Sequence, residues 1–226
     1  TFTGNAGETT TYVIDGLQGS TTYNFSVVAK NEDDVAASAV ETTATTPAKP
    51  VGMEVRYYFY RTGDLPENSG TLTNRDMRDG KGSTISTSQA SKVAEETTFS
   101  KYLMSKSWGF VQVKAKESSL EDVTSDWYLC VRYKSTHPGD VYVNVAASDK
   151  SMLLLAEKEN NDNLWKTKKV KLSDFLNTSY SFPVAANSDL FQFETNDNNA
   201  SERGYLTVDY AYLTNNENSE DLGYQD

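Results

Sequence analysis

Cysteine and histidine each occur once in this chain, as Cys130 and His137. One cysteine excludes an intrachain disulfide and any thiolate-rich metal site. One histidine excludes zincin motifs, which need two, and leaves a Ser-His-Asp triad only His137 to use. Apolar runs are short: none approaches the roughly 18 residues that a membrane-spanning helix requires. Basic residues are in deficit, with 21 Lys and Arg against 32 Asp and Glu. An acidic chain repels phosphate backbones, so nucleic acid is excluded as a partner. The chain opens on Thr1 with no visible signal peptide, and it reads as a processed or trimmed fragment.

What is present points to strands. The 226 residues allow one large domain or two smaller ones. Acidity is concentrated at the ends: residues 1–47 hold one lysine and six acids, and 216–226 hold four acids and no base. The stretch between, 48–215, is close to neutral, so electrostatic steering of a charged partner does not follow from it. Ser, Thr and Asn are abundant, Pro is scarce at five and Tyr numbers 14. That is the composition of a β-rich protein with a polar surface.

Residues 1–47 predict short strands. Thr10–Ile14 is β-branched, and Asp15-Gly16 is a turn signal. Tyr23, Phe25, Val27 and Ala29 then alternate with Asn24, Ser26 and Val28, the period of a half-buried strand. A further strand around Ala39–Thr45 ends at Pro47-Ala48-Lys49-Pro50, where two prolines mark a stiff linker over 48–50. Leu17, Gly19, Tyr23, Phe25, Val27, Ala29 and Asn31 together resemble the second half of a fibronectin type III domain. In that immunoglobulin-like sandwich the Leu and Tyr of the pattern belong to the tyrosine corner. The resemblance implies a partial domain without its first strands, which leans on a neighbour to cover its edges.

From Val51 onward strand follows strand. Met53–Arg61, Gly109–Ala115, Trp127–Lys134 and Val141–Ala147 all alternate. Val111, Val113 and Ala115 share one face, with Trp108, Phe110 and Gln112 opposite. Trp127, Leu129, Val131 and Tyr133 turn inward, with Tyr128, Cys130, Arg132 and Lys134 opposite. The run Tyr57–Tyr60 predicts aromatic packing on both faces of its strand. Ser151–Ala156 is an apolar run that predicts a strand buried on both sides. Trp165–Leu172, Leu190–Thr195 and Tyr205–Leu213 complete the set. Ser88–Ser105 breaks the pattern with loosely helical spacing and predicts a short helix. Residues 62–87 read as a long loop, functional or internally ordered. Ser173–Leu176 reads as a helical turn capped by Ser173, and 215–226 as a frayed acidic tail.

Many short strands with close turns predict a jelly-roll β-sandwich over 51–214. Trp165-x-Thr167 leads to Val170-x-Leu172-Ser173-Asp174-Phe175, and Leu206–Leu213 (LTVDYAYL) closes the unit. These stretches resemble galactose-binding-like and carbohydrate-binding modules, and the match runs over about the last hundred residues. Its motifs are structural, so the resemblance implies the fold more than the ligand. The expected fold class is therefore all-β, a partial fibronectin type III-like sandwich followed by a jelly-roll.

Sugars are held by flat aromatic faces against the ring, with amide, carboxylate or guanidinium groups on the hydroxyls. If the strands 127–134 and 141–147 pair, Tyr128, Arg132, Tyr142 and Asn144 share one face with that chemistry. Trp108 and Trp165 are further platforms, Trp165 doubling as a core anchor in the module pattern. The resemblance also implies a structural calcium ion between the first and last strands, at Glu54 and Asp209. Catalysis has no motif behind it: His137 falls in a turn and reads as an exposed loop residue, and Cys130 as a packed side chain. Asn24, Asn177 and Asn199 head Asn-x-Ser/Thr matches at a frequency chance explains.

The expectation is a non-catalytic, monomeric binding protein for a polysaccharide or oligosaccharide, acting outside the cell or on an outer-membrane surface. It resembles the surface glycan-binding lipoproteins of starch-utilisation systems in Gram-negative gut bacteria. Two alternatives stay open: a structural or adhesive spacer with protein partners, and an accessory module of a larger glycoside hydrolase.

Overall fold

The computed structural model describes residues 22–31, 33–45, 52–78, 83–94, 96, 98–145, 152–176, 182–196 and 202–224. Two compact units divide the chain, Thr1–Gly52 and Met53–Asp226. Among the described residues helix is confined to two single 3₁₀ turns, Lys158–Asn160 and Leu172–Asp174, and the fold is all-β.

In the first unit β1 (Thr22–Val27) and β2 (Val40–Thr45) pair antiparallel, Thr22 opposite Thr45 and Val27 opposite Val40. Tyr23 and Phe25 alternate onto one half-buried face, rings 6.4 Å apart. The Asn31 side-chain oxygen accepts the N–H groups of Asp33 and Val35 and closes the turn that follows β1. The strand expected at Thr10–Ile14, the pattern residues Leu17 and Gly19, and the Pro47–Pro50 linker lie outside the described residues.

The second unit contains β3 (Glu54–Arg61), β4 (Leu72–Asp76), β5 (Ser83–Ser88), β6 (Ala90–Lys92), β7 (Ser100–Ser105), β8 (Ser107–Ala115), β9 (Tyr128–Ser135), β10 (Val141–Val145), β11 (Met152–Ala156), β12 (Lys166–Lys171), β13 (Asp189–Asn196) and β14 (Arg203–Thr214). They form two sheets. The front sheet has the order β11-β10-β13-β8-β5, antiparallel throughout. The back sheet runs β12-β9-β14-β3-β4, with β3 and β4 parallel. The twelve-residue β14 is its spine: its first half pairs with β7, its second with β3, and β9 flanks it on the other side.

Alternation explains the layering. Val111 and Val113, Val141 and Val143, and Phe191 and Phe193 point inward from the front sheet. Phe59, Leu129, Val131, Leu206 and Val208 meet them from the back. The Phe59 and Phe191 rings stack with centroids 4.7 Å apart. Each fully buried side chain of this kind contributes about 1.5–3 kcal/mol. A second, smaller cluster of Tyr58, Cys130, Tyr210 and Tyr212 lies on the other side of the back sheet. Residues 215–224 cover it, with Tyr212 Oη and Ser219 Oγ 3.0 Å apart and Tyr58 Oη donating to Asp221 at 2.6 Å.

Several local expectations change. Among the described residues of 88–105, Ala90–Lys92 and Ser100–Ser105 form β6 and β7 rather than a helix, because Tyr102 and Met104 are buried at a two-residue spacing that a strand serves. Part of the 62–87 loop is β4 and β5. At the sheet edge, β11 keeps Met152, Leu153 and Leu154 half-buried instead of enclosed on both sides. The turn after β12 starts at Leu172, its flanking position is Lys171, and no side chain caps it, so Ser173 is not the cap. His137 is fully buried rather than exposed: its turn folds back on Gly204, and its Nδ1 accepts the Gly139 N–H at 3.1 Å. Residues 215–224 are anchored rather than frayed, because Ser219 and Asp221 find polar partners beneath them.

Candidate functional site

The outer face of the front sheet assembles two rows that cross all five strands. In the first row Leu154, Tyr142, Glu194, Phe110 and Ser88 stand opposite one another in turn. In the second the sequence is Met152, Asn144, Gln192, Gln112 and Ser86. Residues directly opposite across a strand pair share a face, so these side chains point the same way. One row is aromatic with a carboxylate at its centre, and the other is built from amides.

The amide row is hydrogen-bonded in a single direction. Ser86 Oγ donates to Gln112 Oε1 at 3.3 Å, and Gln112 Nε2 donates to Gln192 Oε1 at 2.6 Å. Gln192 Nε2 in turn donates to the Glu194 carboxylate. Asn144 adds a further side-chain hydrogen bond to Glu194, while its Oδ1 is buried with no partner. Burial pushes the Glu194 carboxyl above its ordinary range, and the bonds from Gln192 and Asn144 only partly offset this. Burial and Asp140 also raise the Tyr142 phenol.

Trp108 stands at the end of this face. It alternates with Phe110 and Gln112 on β8 and is 59% exposed, against the half-buried Phe110. Its backbone is left-handed, φ 53°, a strained state for a large side chain. The pairing of β8 with β13 slips here, between Glu194 and Asn196, so the tryptophan is aimed by a bulge. Gly109 permits it, since a Cβ there would sit 2.7 Å from the Ser105 carbonyl oxygen. Thr195 pins it: its Oγ1 accepts the Gly109 N–H at 2.9 Å and donates to the Ser105 carbonyl at 2.7 Å.

The remaining sequence candidates lie elsewhere. β9 pairs with β12 and β14, and β10 with β11 and β13, so Tyr128 and Arg132 are in the back sheet and Tyr142 and Asn144 in the front. The expected foursome on one face is therefore split, because sequence neighbours separated by a turn entered different sheets. Tyr128 Oη donates to Glu217 at 3.2 Å, and Arg132 pairs with the buried Asp209. Trp165 is half-buried outside both core clusters, with the Arg132 guanidinium 4.9 Å and the Lys134 ammonium 5.0 Å from its ring centre.

Glu54 and Asp209 do not fit a shared calcium site. Glu54 is held by Arg56, Ser219, Asn216 and Thr214, where β14 ends. Asp209 sits at the opposite end of β3, where its backbone oxygen accepts the Thr62 N–H at 2.7 Å and its carboxylate meets Arg132 and the Tyr224 N–H. Each carboxylate is neutralised by its own arginine. Among the described residues, no group of three or more His, Cys, Asp or Glu is placed to hold a metal ion. Cys130 is buried and its thiol is pushed up to about 11 by burial, a packed side chain and not a nucleophile.

Glu194, Gln192, Phe110, Gln112 and Ser86 were not singled out by sequence. Their parity on β8 and β13 is legible, but the order that sets β13 between β8 and β10 is not.

The sequence matches no protein-family model and no curated protein. Among solved structures the chain is similar to a "Carbohydrate binding module family29" at TM-score 0.41 and 10% identity, over 72% of this chain and 89% of that one. It is also similar to the exo-1,3/1,4-β-glucanase ExoP from a Pseudoalteromonas species at TM-score 0.36 and 13% identity, over 54% of this chain and 15% of that one. A third is the glycoside hydrolase domain of Endo-D from Streptococcus pneumoniae, at TM-score 0.35 and 15% identity, over 60% of this chain and 22% of that one. At that level of likeness only the face itself speaks to function.

Proposed function

We propose that the second unit is a non-catalytic glycan-binding module whose ligand lies on the outer face of the front sheet. The observation that carries this reading is Trp108: a large, exposed ring held in a strained backbone at the end of a row of aromatic and amide side chains. Exposed aromatics stack on sugar rings, and amides and carboxylates take the hydroxyls. Glu194 is the one carboxylate in the two rows, whereas hydrolysis of a glycosidic bond calls on two. The partial fibronectin type III-like unit, a monomeric state and a place at the cell or outer-membrane surface belong to the same proposal and rest on the sequence resemblance.

Affinity electrophoresis in gels containing polysaccharides tests it. Wild-type protein is retarded by at least one glycan, and Trp108→Ala and Tyr142→Ala each lose most of that retardation. If no glycan retards the wild type, or if neither substitution matters, the reading is wrong. Trp165→Ala serves as the control on the other sheet and leaves binding intact.

A further inference from the structure

We propose that Glu194 determines ligand selectivity on this face: it accepts sugar hydroxyls, admits uncharged glycans, and rejects chains that carry uronate or sulfate. The inference rests on the front sheet being the glycan platform and adds what kind of glycan it takes.

The geometry comes first. Glu194 lies at the centre of the first row, with Tyr142 opposite it on β10 and Phe110 opposite it on β8. Those flanking residues are two strand spacings apart, roughly 9.6 Å, which is the length of a disaccharide. A glycan that crosses the strands thus places its first and third rings over the two aromatic side chains and the hydroxyls of the ring between them over the carboxylate.

The hydrogen-bond direction comes second. Each donor of the amide row is aimed along the sheet toward Glu194, from Ser86 through Gln112 and Gln192. Asn144, 2% exposed, gives its amide to the same carboxylate and leaves its own oxygen without a donor. A buried acceptor is left unsatisfied only at a cost, and here that cost supports Glu194. The row therefore ends on an acceptor, and a ligand must bring donors to it. Sugar hydroxyls do so, on rings whose apolar faces suit Tyr142 and Phe110.

Charge comes third. Tyr142, opposite Glu194, has Asp140 beside it, whose charge and hydrogen bond help raise the phenol. Lys114 lies further along β8, 3.6 Å from Asp189. A second carboxylate or a sulfate brought against Glu194 meets like charge in a partly desolvated site, a penalty of roughly a hundredfold or more in affinity.

Titration calorimetry tests this with galactomannan and mixed-linkage β-glucan as neutral probes, polygalacturonate and alginate as acidic ones, and chitosan as a cationic one. The expected result is binding to a neutral polymer and none to the acidic pair. Glu194→Gln keeps the shape, loses the charged acceptor and weakens neutral binding about tenfold, while Trp108→Ala abolishes it. Binding of chitosan agrees with the assignment, since a carboxylate attracts an ammonium group, whereas equal or tighter binding of an acidic polymer overturns it. So does neutral binding that Glu194→Gln leaves unchanged while Trp108→Ala removes it. Both of those outcomes leave the glycan platform standing, whereas a wild type that binds no polymer removes the platform and the assignment together.

Discussion

Arg61 and Asp221 form a two-pronged ion pair, Nε to Oδ2 at 2.9 Å and Nη2 to Oδ1 at 3.1 Å, that fastens residues 215–224 to β3. Tyr58 Oη and the Gly223 N–H also donate to the same carboxylate, at 2.6 and 2.8 Å. Gly223 turns away at φ 76°, and a side chain there would run into the Asp209 carboxylate. Removing one partner of a buried pair leaves an uncompensated charge, at about 3–5 kcal/mol. Asp221→Ala is therefore expected to lower the unfolding free energy by that amount, read as a lower urea midpoint, and to expose the tyrosine cluster behind it. A midpoint within experimental error of wild type would show that the segment is not fastened this way.

Two carboxyls of this network set the acid limit of stability. Burial raises the Glu54 carboxyl, but hydrogen bonds from Arg56, Ser219 and Asn216 outweigh it and hold the group below its ordinary value. Asp221 is likewise raised by burial and lowered further by Arg61, Tyr58 and the Gly223 N–H. A carboxyl depressed in the folded state stabilises it above the unfolded pKa, about 4, and that contribution is lost as pH falls through the folded value. The contribution of these two carboxyls is thus expected to be level from pH 7 to about 5 and to drop below about 4. Glu54→Gln and Asp221→Asn each flatten that drop, which denaturation midpoints across the range will measure.

Sequence periodicity carried most of this fold and about half of its candidate site. The inward sets Val111/Val113, Leu129/Val131 and Val141/Val143 are where alternation puts them, because one buried face fixes the register of each strand. Chemistry alone points to Trp108, Tyr142 and Asn144, and register puts Tyr142 and Asn144 on one face, with the exposed Trp108 at the bulge where β8 leaves its pairing with β13. Tyr128 and Arg132 do not join them, since pairing between strands distant in sequence is set by the whole topology and leaves no local trace. His137 and residues 215–224 look like surface by composition; burial comes to them from β14 and from the arginines of β3. The fibronectin type III resemblance rests on seven positions, of which Leu17 and Gly19 lie outside the described residues.

Glu194 titrates in the opposite sense to Glu54 and Asp221. Burial raises its carboxyl, and the hydrogen bonds from Gln192 and Asn144 do not cancel that. A carboxyl raised on folding destabilises the native state once it ionises: stability falls as pH rises from the unfolded pKa through the folded one, and stays down above it. Glu194→Gln is therefore expected to be more stable than wild type at pH 7, with the gap closing below the ordinary carboxyl range. A gap that persists unchanged at low pH would mean that packing, not ionisation, separates the two proteins.

Trp108 makes the same trade in backbone energy. A non-glycine residue in the left-handed region costs about 1 kcal/mol or more, and its ring, 59% exposed, returns little of this by burial. Trp108→Gly should consequently be more stable than Trp108→Ala by about 1 kcal/mol, because only glycine relieves the φ of 53°. Both variants lose glycan retardation equally, since neither carries a ring. Gly109→Ala acts on the same bulge from the next residue: its Cβ would press on the Ser105 carbonyl at 2.7 Å. That substitution keeps the tryptophan but shifts the backbone that aims it, so it is expected to weaken binding and to move the Trp108 fluorescence. Equal stabilities for Trp108→Gly and Trp108→Ala would mean the strain is relaxed in solution, and the bulge would then be a consequence of the local packing and not a device that presents the ring.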